Sequence, residues 1–153
     1  MKDYCVEGED LKEIKILIVE DMNFTRNIIG HCMKLGFPSS RRISTADGRT
    51  ALERLRNEAF DLILCDWGLP DISGLEILRW VRESSRDREI PFIMITVIDN
   101  KEIIMEAIQA GVTDYVIKPI DSEILIIKAW RALKNRRKST ADSPEAAEPI
   151  LPV

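Results

Sequence analysis

Asp66 ends the uninterrupted apolar run Leu62-Ile63-Leu64-Cys65, and Gly68 and Pro70 stop the chain from continuing it. Three other apolar runs give way to polar residues in the same manner. Residues 14–19 lead into Glu20-Asp21, residues 91–95 into Thr96, and residues 115–117 into Lys118. A single carboxylate at such a place often does no more than open a turn. Several together mean more if the strands are parallel, because the carboxyl ends then meet at one mouth of the sheet, where ligands bind. Three carboxylates held close repel one another, which raises pKa values or calls for a cation. Mg2+ suits such a set, being a hard ion that takes oxygen ligands, keeps several waters and commonly uses one or two carboxylates plus a phosphate. Lys118 adds a mobile positive charge and Thr96 a hydroxyl donor. The set suits a phosphoryl group, and an Asp so placed can act as a nucleophile and form an aspartyl phosphate.

Each residue taken singly has a plainer explanation. Glu20-Asp21 is an ordinary acidic strand exit, Thr96 can satisfy its own backbone, and Lys118 can be a solvated surface lysine. Their recurrence at successive strand ends is what the plain explanations leave out.

The elements that must position these residues alternate. Residues 14–19 read as a first strand and 62–66 as one buried on both faces. Asn23 can cap a helix carrying Phe24, Ile28, Cys32 and Leu35, with Gly36 as its stop. A weaker strand over 42–46 belongs at a sheet edge. The Asp47-Gly48 turn follows, and Ala51, Leu52, Leu55 and Ala59 mark a second helix. Leu75, Ile77, Leu78 and Val81 define a third helix, ending near the polar run 84–89. The strand 91–95 precedes a fourth helix, capped by Asp99 or Asn100 and ended by Gly111. Residues 115–117 form a short last strand. Asp121 or Ser122 caps a final helix with Ile124, Ile127, Trp130 and Leu133, and its basic end (Lys134, Arg136, Arg137, Lys138) suits the negative end of a helix dipole. Five βα units imply an α/β fold, a parallel sheet with helices on both faces and right-handed crossovers. The expected organisation is a lead-in over 1–13, one domain over 14–138, and a disordered acidic, Pro-containing tail over 139–153, in which Ile150-Leu151 is a weak docking candidate.

At 153 residues, 45% apolar and 31% charged, the chain has the makeup of one soluble globular domain. A net charge of −4 gives no general drive toward nucleic acid. No apolar run approaches a membrane span and the polar N-terminus is unlike a signal peptide, so a cytoplasmic location is expected. Cys5, Cys32 and Cys65 are odd in number and far apart, which suggests neither a disulfide framework nor zinc. His31, the only histidine, reads as a surface residue and not as a phosphohistidine donor.

From about residue 14 to 133 the chain resembles the receiver domains of bacterial response regulators, of the single-domain chemotaxis (CheY-like) type. The resemblance is carried by Ile-Leu-Ile-Val-Glu-Asp (16–21), Leu-Cys-Asp-Trp-Gly-Leu-Pro (64–70) with Gly74 after it, Ile-Thr (95–96) and Gly-Val-Thr-Asp-Tyr-Val-Ile-Lys-Pro (111–119). Any one is weak; all four in order at these spacings are specific. The resemblance implies a flavodoxin-like (βα)5 doubly wound sheet of order 2-1-3-4-5. It implies Asp66 as phosphoacceptor, with Mg2+ held by Glu20, Asp21, Asp66 and the Gly68 backbone carbonyl. Lys118 would pair with the phosphoryl group and Thr96 would bond one of its oxygens. Tyr115 would be the switch aromatic, and the Lys118–Pro119 bond would be cis. The implied function is a phosphorylation-activated switch of a two-component system. It would be charged by a sensor histidine kinase or histidine phosphotransfer protein and read by a protein partner through the fourth helix, fifth strand and fifth helix. It would not be an enzyme beyond its own phosphoryl transfer and dephosphorylation.

The chain departs from the family pattern at Val97, where a small residue is common, and a branched side chain there could narrow access to Asp66. Gly68 and Ile98 stand at two positions that tune dephosphorylation, and neither side chain can orient a hydrolytic water. The main alternative is a receiver-like docking module that works without phosphorylation. An aspartyl-phosphate phosphatase would need a second acid where Gly68 stands. A flavodoxin-like cofactor binder would need a phosphate-cradling loop where Glu20-Asp21 would repel phosphate.

Overall fold

The computed structural model describes residues 13–84, 86–97 and 100–141, with side chains through residue 136. Most of the expected lead-in, including Cys5, lies outside these residues, as do Ile98, the candidate cap Asp99 and the tail beyond residue 141. The chain alternates strictly: β1 (Lys15–Val19), α1 (Asn23–Gly36), β2 (Arg41–Thr45), α2 (Gly48–Asn57), β3 (Leu62–Asp66), α3 (Gly74–Glu83), β4 (Phe92–Thr96), α4 (Lys101–Gln109), β5 (Asp114–Ile117) and α5 (Ser122–Ala141). All neighbouring strands are parallel and the sheet order is β2-β1-β3-β4-β5. The weak second strand is an edge, and the apolar run at 62–66 is central and buried along its whole length. β1, β3 and β4 are apolar on both faces because helices cover both.

One core lies between the sheet and α1 with α5, built on Ile16, Ile18, Leu64, Ile93, Met33 and Leu125. The other lies beneath α2 and α3, built on Leu17, Ile63, Phe92, Leu55, Leu78 and Val81. Cys32 and Cys65 are buried and unpaired. Among the described residues, no helix is long and apolar enough to cross a membrane.

Caps explain several helix starts. The Asp47 side chain accepts from Thr50 N at the head of α2, and Asn100 does the same for Glu102 N at α4. Asp121 Oδ1 accepts from Ile124 N at α5. α3 opens with a reciprocal box: Ser73 Oγ accepts from Glu76 N, and Glu76 Oε2 accepts from Ser73 N. After α4, Gly111 takes φ +92°, a left-handed stop open to glycine at little cost.

Several expectations need correction. Asn23 is the first helical residue of α1; the N-cap is Met22, which makes no side-chain cap bond. α2 ends at Asn57, before Ala59. The expected stripe of α1 is displaced: Phe24 is 76% exposed and Leu35 43%, while Ile29, Cys32, Met33 and Gly36 are buried. In α5, Ile124 is exposed and the buried face is Leu125, Ile126, Ala129 and Ala132. The reason is close contact between α1 and α5. A Cβ on Gly36 would stand 2.8 Å from Ile126 Cγ2, so Gly36 is a packing residue as much as a stop. α5 continues through Ala141, three residues past 138, the expected end of the domain.

Candidate functional site

Glu20 and Asp21 follow β1, Asp66 and Thr96 end β3 and β4, and Lys118 follows β5. Because all five strands run the same way, these positions converge on one mouth, on either side of the β1/β3 pair where the strand order reverses. Carboxylate oxygens of Glu20, Asp21 and Asp66 lie within 4.8 Å of one another. Glu20 is fully buried, Asp66 nearly so, and Asp21 is exposed. Lys118 Nζ donates to Glu20 Oε1 at 2.6 Å and stands 3.4 Å from Asp66 Oδ2. The second Glu20 oxygen accepts from Met22 N at 3.3 Å.

The electrostatics follow from this crowding. Burial raises the Asp21 carboxyl above its ordinary value, and the hydrogen bond with Glu20 adds to the effect. For Lys118, burial works against the charge, but the Glu20 hydrogen bond and the attraction of Asp66 and Glu20 outweigh it and raise the ammonium above its ordinary value. Three carboxylates against one ammonium leave an excess of two negative charges when all are ionised. A divalent hard cation with oxygen ligands fits that excess and that donor set. Removing Lys118 would leave the fully buried Glu20 carboxylate without its cationic partner, a cost of about 3–5 kcal/mol.

Two loops present the acids. The β3–α3 loop is set by close packing. A Cβ on Gly74 would fall 2.4 Å from Asp66 O and 3.0 Å from Met94 Sδ, so only glycine lets the head of α3 lie against the backbone of Asp66. Gly74 N donates to Trp67 O at 2.9 Å, and Trp67 N to Ile95 O at 3.1 Å. Further along, Asp71 accepts from Gly48 N and Arg49 N, both at 2.8 Å, which pins the loop to the head of α2. Burial opposes charge on Asp71, but these backbone donors prevail and hold its carboxyl below the ordinary value. In the β1–α1 loop, Arg26 reaches back from the helix. Its Nη1 donates to Glu20 O at 2.8 Å and Asp21 O at 3.3 Å, and its Nη2 donates to Asn23 Oδ1.

The remaining predicted residues take these places. Thr96 is buried, and its carbonyl accepts from Lys118 N at 2.7 Å. Gly68 is exposed and its N–H donates to Asp66 Oδ1 at 3.4 Å. Val97 is 70% exposed. Tyr115 is half-buried against the core on the α2–α3 side, with Lys128 Nζ 5.2 Å from its ring centre. Trp67 is half-buried against the same core. His31 is exposed. The Lys118–Pro119 bond is cis.

Arg26, Asp71 and Ser73 did not figure among the residues picked out by sequence. Ser73-Gly-Leu-Glu76 carries a readable signal, the S-x-x-E spacing of a capping box. Asp71 carries none, because its partners are backbone atoms whose positions exist only in the fold, and of the contacts of Arg26 only the one to Asn23 follows from helical spacing.

A sequence profile for the response regulator receiver domain matches residues 16–129. Chemotaxis protein CheY of Pseudomonas aeruginosa is 39% identical over 113 residues, which span 73% of this chain and 90% of that protein. Chemotaxis protein CheY-3 of Vibrio cholerae is 36% identical over 115 residues, spanning 74% and 87%. Among solved structures, the chemotaxis response regulator CheY4 of Vibrio cholerae superposes with a TM-score of 0.73 at 30% identity, covering 80% of this chain and all of the other. A CheY-like receiver domain from Methanospirillum hungatei gives 0.77 at 26% identity, covering 84% and 99%. The sheet order, the convergent strand ends and these matches agree: the chain belongs to the response regulator receiver domain family, in its CheY-like form.

Proposed function

We propose that the chain is a phosphorylation-activated switch of a two-component system, with Asp66 as phosphoacceptor. The observation that carries the reading is the meeting of Asp66 with Glu20, Asp21 and Lys118 at one mouth of the sheet. Glu20, Asp21, Asp66 and the Gly68 carbonyl would hold Mg2+. When bound, the ion supplies charge neutralisation for the oxygens of the transferring phosphoryl group. An Asp66 carboxylate oxygen attacks the phosphorus of a phosphohistidine on a sensor kinase or phosphotransfer protein. The new O–P bond forms as the P–N bond breaks, and the imidazole leaves with its electron pair. Lys118 changes partner from the carboxylates to a phosphoryl oxygen, and the Thr96 hydroxyl donates to another. The residues thus act through positioning and preorganised charge.

The added charge biases a two-state element. Thr96 and Tyr115 would carry the change to α4, β5 and α5, where a protein partner reads it. Exposed apolar side chains on all three elements support this face: Met105 on α4, Ile117 on β5 and Ile124 on α5.

Intact-mass measurement after incubation with Mg2+ and a small acyl phosphate tests the reading. One phosphoryl adduct is expected, lost on Asp66→Asn and lost when a chelator removes Mg2+. No adduct on the wild type would overturn the proposal and leave a docking module that works without phosphorylation.

A further inference from the structure

We infer that Arg26 is a positioning residue for the cation site, holding the backbone of Glu20 and Asp21 so that their carboxylates face Asp66. The inference rests on the reading of these three acids as cation ligands. α1 begins without the usual support: its N-cap Met22 makes no side-chain cap bond, and its first turn carries no acidic residue. The turn between β1 and α1 must therefore be held by something else. Helical side chains lean toward the N-terminus, so a long residue one turn into a helix covers the chain that enters it. Arg26 does this. Its backbone N closes the first helical bond to Met22 O at 2.8 Å, while its guanidinium reaches past that turn to the carbonyls of Glu20 and Asp21 and to Asn23 Oδ1.

The choice of partners is what makes the contact specific. A guanidinium on the Glu20 and Asp21 carboxylates would compete with a metal for the same oxygens. On the carbonyls it fixes the two residues and leaves their carboxylates to Lys118, Met22 N and the cation. The planar fork serves three acceptors at once, which a lysine ammonium on its flexible stem cannot do with the same geometry. Outer partners of this kind orient ligands, and their loss commonly weakens metal binding by 10–100-fold.

Titration calorimetry of the full chain with MgCl2 tests this, with wild type, Arg26→Ala and Arg26→Lys side by side and thermal melts recorded in chelator. The expected result is Mg2+ binding weakened about tenfold in Arg26→Ala and by less in Arg26→Lys, with the metal-free melting temperature of Arg26→Lys close to wild type. Wild-type Mg2+ affinity in both variants overturns the inference, even if their melting temperatures fall, because that pattern is support of the fold alone. If Arg26→Ala does not fold, Arg26→Lys decides: unchanged affinity overturns the role and reduced affinity at unchanged melting supports it. If wild type binds no Mg2+, the reading of the acids as cation ligands fails first, and the role of Arg26 goes with it.

Discussion

The two acid-bearing loops do the same work by different means. The β3–α3 loop is fixed by contact: α3 lies so close to the Asp66 backbone that position 74 has no room for a methyl group, and Asp71 ties the loop to α2. The β1–α1 loop is fixed by reach, with one guanidinium spanning three acceptors. Packing is tied to the stability of the whole domain, because it is continuous with the core. A reaching side chain on a partly open rim can be altered with far less effect on the fold. The proposed phosphoacceptor, the last residue of β3, therefore stands at the entry to the stiffer of the two loops, and two of the proposed cation ligands lie in the more adjustable one.

Substitutions should separate the two modes. The largest effect is expected for Gly74→Ala, whose new methyl group must displace the Asp66 carbonyl or the head of α3. Overpacking of this kind costs roughly 1–3 kcal/mol, read as a lower urea midpoint, and the yield of phosphoryl adduct should fall with it. A Gly74→Ala protein as stable as wild type would show that contact does not hold this loop.

Asp71→Asn comes next. It keeps an acceptor oxygen but loses the charge facing two backbone donors, for a loss of about 0.5–1 kcal/mol by analogy with helix caps. Because the folded carboxyl lies below its ordinary value, its stabilisation is present above that ordinary value and is lost as pH falls through the depressed one. The stability gap between wild type and Asp71→Asn should accordingly close in acid. A gap that widened on acidification would remove Asp71 from this role.

The smallest effect concerns Trp67, next to Asp66 and half-buried. Its emission should change as Mg2+ binds. A flat fluorescence titration beside a clear calorimetric one would mean that the indole lies away from the cation, and that the β3–α3 loop does not respond to it.

Much of this arrangement is legible in the sequence, for a physical reason. Buried parallel strands need unbroken apolar runs, so the ends of β1, β3 and β4 announce themselves where Glu20, Asp66 and Thr96 interrupt them. Parallel alternation then brings those ends together without any knowledge of side-chain contacts. Helix faces are harder to read. Where α1 meets α5, Gly36 lies against Ile126, and the small residues Ala129 and Ala132 of α5 are buried in the same core. A search for bulky apolar spacing therefore settles on Phe24 and Ile124, which stand in solvent. Asp71 is invisible to spacing altogether, since what it binds is backbone of α2 brought near by folding, and for Arg26 only the i,i+3 pair with Asn23 could be read, not its reach to the carbonyls of Glu20 and Asp21.

The ladder between β4 and β5 does not stop at the sheet. It pairs Thr96 with Ile117, and Lys118 N then donates to Thr96 O at 2.7 Å. The residue proposed to feel the phosphoryl group and the lysine proposed to hold it are thus stitched together through the main chain. A displacement of the Thr96 backbone drags the base of Lys118 along, so the two act as one jaw and not as two fingers. Tyr115 lies on that same short strand, opposite Met94. If Tyr115 is the outlet of the proposed switch, it and the mouth share one strand of four residues, and a shift that begins at Thr96 has only that ribbon to pass along.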